Sequence, residues 1–178
     1  MLEGIIRSSI GKKATKALRR DGYLIANIYG KDFENLHVAF KMGDYLRAVK
    51  SKEGITFDVK IQDRVLKVAV QDYQVHPVTD ELLHVDLIVA QPGVRTKYHV
   101  PIKTKGTPIG LKNKGVLIIS KKRVPVKATI EELPNNIEID VSNLDVGDAI
   151  LVRDLPESKT LDIRLADRVP ILSVIKAK

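Results

Sequence analysis

The sequence predicts a mainly-β protein with a few short helices, arranged as an N-terminal small β-barrel followed by a C-terminal all-β domain. Three observations lead there. Short β-branched runs recur along the whole chain with turn residues between them. Two windows, KKATKALRR and MGDYLRAVKS, read as short helices. Ala90-Gln91-Pro92-Gly93 interrupts any strand where the charge pattern also changes, so domains of 1–90 and 91–178 are expected.

Taken in order, EGIIR opens as a strand, and KKATKALRR follows as one or two helical turns stopped by Gly22. YLIANIYG reads as a buried strand, and LHVAF alternates apolar and polar residues as another. MGDYLRAVKS places Met42, Leu46 and Val49 near helical spacing, which predicts an amphipathic helix resting on those three. ITFDVKI and RVLKVAV form a hairpin through Gln62-Asp63, and QDYQVHPVTDE is expected to be a loop before the apolar strand LLHVDLIVA. Mostly strands with two short helices is compatible with a small closed barrel. Beyond Gly93, the strand candidates are TKYHVPIKTK, GVLII, KKRVPVKATI, NNIEIDV, AILVRDL, TLDIRL and VPILSVIK.

Composition narrows the function. The chain has 178 residues, no cysteine, no tryptophan and 4% aromatic residues, so the core is expected to be Val, Ile and Leu. Without cysteine there are no disulfides, thiolate nucleophiles or thiolate zinc sites. A broad aromatic platform for stacking bases is also excluded. MLEGIIRSS lacks a charged-then-apolar signal pattern, and no apolar run approaches the roughly 20 residues of a membrane helix, so a cytoplasmic protein is expected. Neither a G-x-x-x-x-G-K-[ST] nor a G-x-G-x-x-G loop occurs, and no serine sits in a nucleophile-elbow context. The reading is not an enzyme, with no catalytic residue and no cofactor.

Charge is sorted along the chain. Residues 1–90 hold fourteen Lys and Arg against twelve Asp and Glu, while 91–130 hold ten cations and no acid. From Glu131 onward six basic residues face ten acidic ones. The net charge of +8 favours a polyanionic partner. Within the first half, Arg7 to Arg20 carries Arg7, Lys12, Lys13, Lys16, Arg19 and Arg20 with no acid among them. Such a run either meets phosphates and guanine edges or forms a solvated face; the missing acids favour the first.

A second cluster is Gln71-Asp72-Tyr73-Gln74-Val75-His76-Pro77, answered by His84-Val85-Asp86. On a strand His84 and Asp86 share a face. Three readings stay open. His76, His84, Asp72 and Asp86 could ligate a divalent metal; Asp86 could simply orient His84; or the Gln, His and Asp side chains could read base edges and 2′-hydroxyls of RNA. An Asp in such an interface makes sense only where it accepts from a base amino group or an ordered water. Tyr29 either offers its hydroxyl to ribose or phosphate, or caps a strand end.

These motifs carry a resemblance. R-x-x-x-G-K-K-A-T-K-A-L-R-R-D-G (7–22), I-Y-G (28–30), Q-D-Y-Q-V-H-P-V (71–78), H-V-D-L (84–87), V-P-I-K-T-K-G-T-P-I-G-L-K-N-K-G (100–115) and L-P-N-N-I-E-I-D-V-S-N-L-D-V-G-D (133–148) span nearly the whole chain. The sequence resembles bacterial large-subunit ribosomal protein twenty-five in its two-domain form, the general stress protein Ctc family. The resemblance implies a barrel, akin to a synthetase anticodon-binding module, that binds an irregular, widened loop of 5S rRNA in the central protuberance. Carried over, Arg7, Lys12, Thr15, Lys16 and Arg19 would meet the RNA backbone and groove, and Tyr29, Gln71, Gln74, His84 and Asp86 would complete the face. Three positions depart from the family pattern: Lys16-Ala17 replaces paired arginines, Ile25 a proline, and Val75 a basic residue.

The C-terminal domain's cations suggest a second contact, with ribosomal RNA or an acidic face of a neighbouring ribosomal protein. Two alternatives to a permanent ribosomal constituent are a stress-associated module that visits RNA, and a metal-dependent hydrolase.

Overall fold

The computed structural model describes residues 2–52, 54–155 and 161–177. It divides into two compact units, Met1–Thr96 with Thr129–Glu131, and Lys97–Ala128 with Glu132–Lys178.

The first unit is a closed barrel of β1 (Leu2–Ile6), β2 (Tyr23–Gly30), β3 (Phe33–Lys41), β4 (Thr56–Ile61), β5 (Arg64–Val75) and β6 (Leu82–Val89), in the order β1-β3-β2-β6-β5-β4. Parallel pairing of β1 with β4 closes it, Leu2 facing Val59 and Gly4 facing Ile61. Alternation puts Leu24, Ala26 and Ile28 of β2, Val38 and Phe40 of β3, and Val85 and Leu87 of β6 inside, all at 0% exposure. Each such apolar side chain contributes roughly 1.5–3 kcal/mol by leaving water. Gly4 is required by the close approach of strands. A Cβ there would sit 2.6 Å from Ile61 Cδ1 and 2.9 Å from Phe40 Cδ1.

Helix α1 (Lys12–Arg20) connects β1 to β2, and α2 (Met42–Ser51) follows β3. Gly22, at φ +79°, ends α1 in the left-handed conformation that glycine tolerates, and its N–H donates to the Arg19 carbonyl at 3.1 Å.

Two expectations are corrected here. The apolar face of α2 is anchored by Tyr45, which is 4% exposed, with Met42 and Val49 beside the core, whereas Leu46 is 44% exposed. Ring contacts decide this: Tyr45 stacks on Phe40 and meets Phe57 edge-on, each with centroids 6.4 Å apart. The core therefore has an aromatic node within its Val, Ile and Leu. Likewise 71–75 is not loop. β5 runs on to Val75, because bulges at 70–72 and 74–75 let this polar stretch continue its pairing with β6. The connection is 76–81, closed by the His76 N–H on the Glu81 carbonyl at 2.8 Å.

The second unit holds two sheets. β7 (Thr96–Lys105), β9 (Arg123–Ala128), β10 (Ile137–Asp140) and β12 (Asp162–Ile163) form one in the order β10-β7-β9-β12. β8 (Gly115–Ile119), β11 (Ala149–Leu151) and β13 (Pro170–Lys176) form the other in the order β11-β13-β8. Tyr98, Val100, Val124, Val126, Ile137, Ile171, Leu172 and Val174 are buried. The seven strand candidates of this half are all present within the described residues, several shorter than expected; Thr160, first residue of TLDIRL, lies outside them.

Candidate nucleic-acid interface

The register of four barrel strands builds the site. Antiparallel β3–β2 sets His37 opposite Asn27, parallel β2–β6 sets Asn27 beside Asp86, and antiparallel β6–β5 sets Asp86 opposite Asp72. The next outward row is Ala39, Ile25, His84 and Gln74. Their chain neighbours Ala26, Val38 and Val85 fill the core, so these residues face out. Ile25 is nonetheless 2% exposed, because α1 packs over β2.

Two arginines join the helix to this wall. The Arg7 N–H donates to the His37 carbonyl at 2.9 Å, and Arg7 Nη2 donates to Thr15 Oγ1 at 2.7 Å. From α1, Arg19 donates Nε and Nη2 to the Leu83 carbonyl at 3.2 and 2.9 Å. A guanidinium fork on one carbonyl, next in sequence to His84, holds the helix against β6.

This proximity shapes the electrostatics of the site. Burial holds the His84 imidazolium below its ordinary range; Asp86 opposes that shift, while Arg19, Arg7 and His37 reinforce it. Burial raises the Tyr29 hydroxyl, and Asp86 and then Asp72 add to the effect, so Tyr29 is held neutral and able to donate. Burial and then Arg19 lower Arg7, which stays cationic. One face thus gathers Arg7, Thr15, Arg19, Tyr29, Gln74, His84 and Asp86.

The other predicted residues sit around it. Lys12, Lys16 and Arg19 share a helical stripe with Thr15 at i, i+3, i+4 and i+7; Lys13 and Arg20 lie on the adjacent stripe. Lys12, Lys13, Lys16 and Arg20 are exposed, and their side chains make no hydrogen bond or ion pair among the described residues. Gln71 is the extra residue of the bulge. Within the barrel unit's described residues, the buried side-chain polar atoms lacking a hydrogen-bond partner are Arg7 Nε, Gln71 Oε1 and His84 Nδ1. His84 Nδ1 lies 3.5 Å from Asp86 Oδ1, which is ion-pair range without a hydrogen bond. All three atoms belong to the predicted face, and a buried polar atom left unpaired is costly unless a partner supplies the bond.

Two residues of the wall were not foreseen. His37 Nδ1 lies 2.8 Å from Asn27 Oδ1. The amide oxygen can only accept, so Nδ1 is the donor of this pair, while the Asn27 amide N–H groups remain donors. The signal was present: His37 alternates with Leu36, Val38 and Phe40, and Asn27 is the polar residue inside an otherwise apolar strand.

The four residues of the metal reading are not gathered into one ligand set among the described residues. His76 Nδ1 accepts from the Val78 and Thr79 N–H groups at 3.3 and 3.2 Å, which ties it to its own loop. Among the described residues no three His, Asp or Glu side chains come together as a ligand set. No described helix is long and apolar enough to cross a membrane.

The chain joins a closed six-stranded barrel with an amide- and imidazole-lined wall to a second β unit, and the family models that match its two halves are both of ribosomal proteins. Residues 2–87 match the sequence model of the Ribosomal L25p family, and residues 95–178 match that of the C-terminal domain of ribosomal protein TL5. The chain belongs to the Ribosomal L25p family. It is 64% identical to the large ribosomal subunit protein bL25 of Nitratiruptor sp., 61% to that of Sulfurimonas denitrificans and 62% to that of Wolinella succinogenes, each over the full length of both chains.

Proposed function

We propose that this protein is a constituent of the large ribosomal subunit, acting at the ribosome in the cytoplasm, and that its domain of residues 1–90 binds 5S rRNA in the central protuberance. Residues 91–178 form the second domain, which meets the subunit elsewhere. The observation that carries the reading is the coupling of Arg7 and Arg19 to the wall formed by His84 and Asp86. Cations that stand beside base-reading groups can hold a backbone and interrogate a groove in one docking event.

The division of labour follows from side-chain chemistry. Lys12, Lys13, Lys16 and Arg20 neutralise phosphates; none is pre-engaged by an acid among the described residues. Lys12 and Lys13 also stand at the positive end of the α1 dipole with no acid in its first turn, an arrangement that an arriving phosphate relieves. Arg7 and Arg19 spend part of their donor capacity on Thr15 and Leu83, so their positions are set before RNA arrives. Gln71, Gln74, Asn27, His37, His84 and Asp86 present donors and acceptors at strand spacing to a shallow groove whose edges and 2′-hydroxyls they can pair. Asp86 accepts only, which suits a base amino group and repels phosphate. Tyr29 donates its hydroxyl to ribose or phosphate.

Chemical footprinting of the full-length protein on 5S rRNA tests this. Protection confined to an irregular loop, resisting competition by regular duplex RNA, is the expected result. Uniform protection, or equal competition by any duplex, overturns it.

A further inference from the structure

Strand β8 of the second unit ends its sheet, so among the described residues one of its edges has no strand beside it. Pairing with β13 sets Val116 opposite Ile175 and Ile118 opposite Ser173. Val116, Ile118, Ile119 and Ile175 are 46, 38, 41 and 46% exposed. The backbone of residues 116–119 makes no further backbone hydrogen bond outside its ladder among the described residues. Natural edge strands are commonly guarded by a charge within the strand. This one reads Gly-Val-Leu-Ile-Ile, and its charges flank it instead: Lys112 and Lys114 before, Lys121 and Lys122 after, all exposed and without an ion pair among the described residues. Nearby acids are engaged in their own turn. Asp145 accepts from Asn113 Nδ2 and the Val146 N–H at 2.9 and 2.7 Å, and Asp148 Oδ2 accepts from the Asp145 N–H at 2.9 Å.

From this geometry we infer that β8 is a docking edge for an extended acidic segment of another protein, which adds a strand to the β11-β13-β8 sheet. Open N–H and C=O groups supply main-chain bonds, the aliphatic row accepts alternate apolar side chains, and the flanking lysines select carboxylates. Charge complementarity decides the occupant. A second copy of this chain would bring lysines against lysines. RNA would bring phosphates to the lysines, but the strand between them is aliphatic and has no ring on which a base could stack. This edge belongs to the second unit and acts whichever RNA the first unit binds.

The test uses the isotope-labelled full-length protein and two octapeptide probes, one alternating Glu and Val, the other alternating Lys and Val. The Glu-Val peptide is expected to shift amide signals of residues 115–119 and to bind about tenfold or more tightly than the Lys-Val peptide. Methylating its alternate backbone nitrogens is expected to abolish binding, because strand addition needs those N–H groups. Ile118→Asp, at an exposed position, is expected to lose the Glu-Val peptide while the amide spectrum of the rest of the unit stays unchanged. Equal affinity for both peptides, binding that survives N-methylation or Ile118→Asp, displacement by single-stranded RNA, or self-association through these residues each overturns the inference.

Discussion

Replacing Lys12, Lys13 and Lys16 together with Gln isolates the electrostatic share of RNA binding. The three ammonium groups are exposed on α1 and have no partner among the described residues, and Gln keeps a similar helix propensity. Folding stability is therefore expected to stay within about 0.5 kcal/mol of the parent. Each phosphate contact contributes about 0.7 to 0.9 to the slope of log affinity against log salt, so losing three lowers the slope by about 2 to 3. Taking the electrostatic term to vanish near 1 M, affinity at 0.1 M salt falls about 100- to 500-fold, or roughly 3 to 4 kcal/mol. Titration of labelled 5S rRNA with the full-length chain across a salt series reads both numbers. Parallel salt slopes for parent and variant would refute the assignment of these lysines to phosphates, even if the variant bound less tightly.

Three further outcomes follow from particular contacts. Gly4→Ala forces a methyl against Phe40 and Ile61 inside the barrel and is expected to cost about 1–3 kcal/mol in denaturant unfolding, with RNA affinity retained below the transition. Because His84 sits below its unfolded value of 6.5 in the folded chain, the unfolded state binds the proton first on acidification. The stability His84 contributes is complete above 6.5 and is lost as pH falls from there toward its folded pKa; His84→Gln should flatten that dependence, and an unchanged pH profile would count against it. Asn27→Leu, which breaks the pair with His37, is expected to reduce the preference for the cognate loop over regular duplex by about 1 kcal/mol or more while leaving the salt slope unchanged.

Much of the architecture was legible because it rests on local rules. Apolar runs mark β2 and β6, period-two alternation marks β3, and Gly22 marks the end of α1. Legibility failed where packing chose among locally equal options. Leu46 and Tyr45 both suit an amphipathic helix; the rings of Phe40 and Phe57 draw in Tyr45. The polar run 71–75 looks like loop because its composition is that of a loop. Two bulges keep it in the sheet, and a bulge is a property of a pair of strands rather than of one.

The chain's order of residues determined that it is a cation-rich, cysteine-free β protein with an acid-free arm beside a barrel, since these follow from composition and near-neighbour periodicity. Which side chains share a surface was decided only by tertiary pairing. Arg7, Asn27, His37, Gln74, His84 and Asp86 are up to 79 residues apart, and only closure of β3, β2, β6 and β5 into one wall brings them within reach of one ligand. Pairing of strands far apart in sequence, such as β2 with β6, is fixed by no turn between them and depends on their apolar faces meeting in one core.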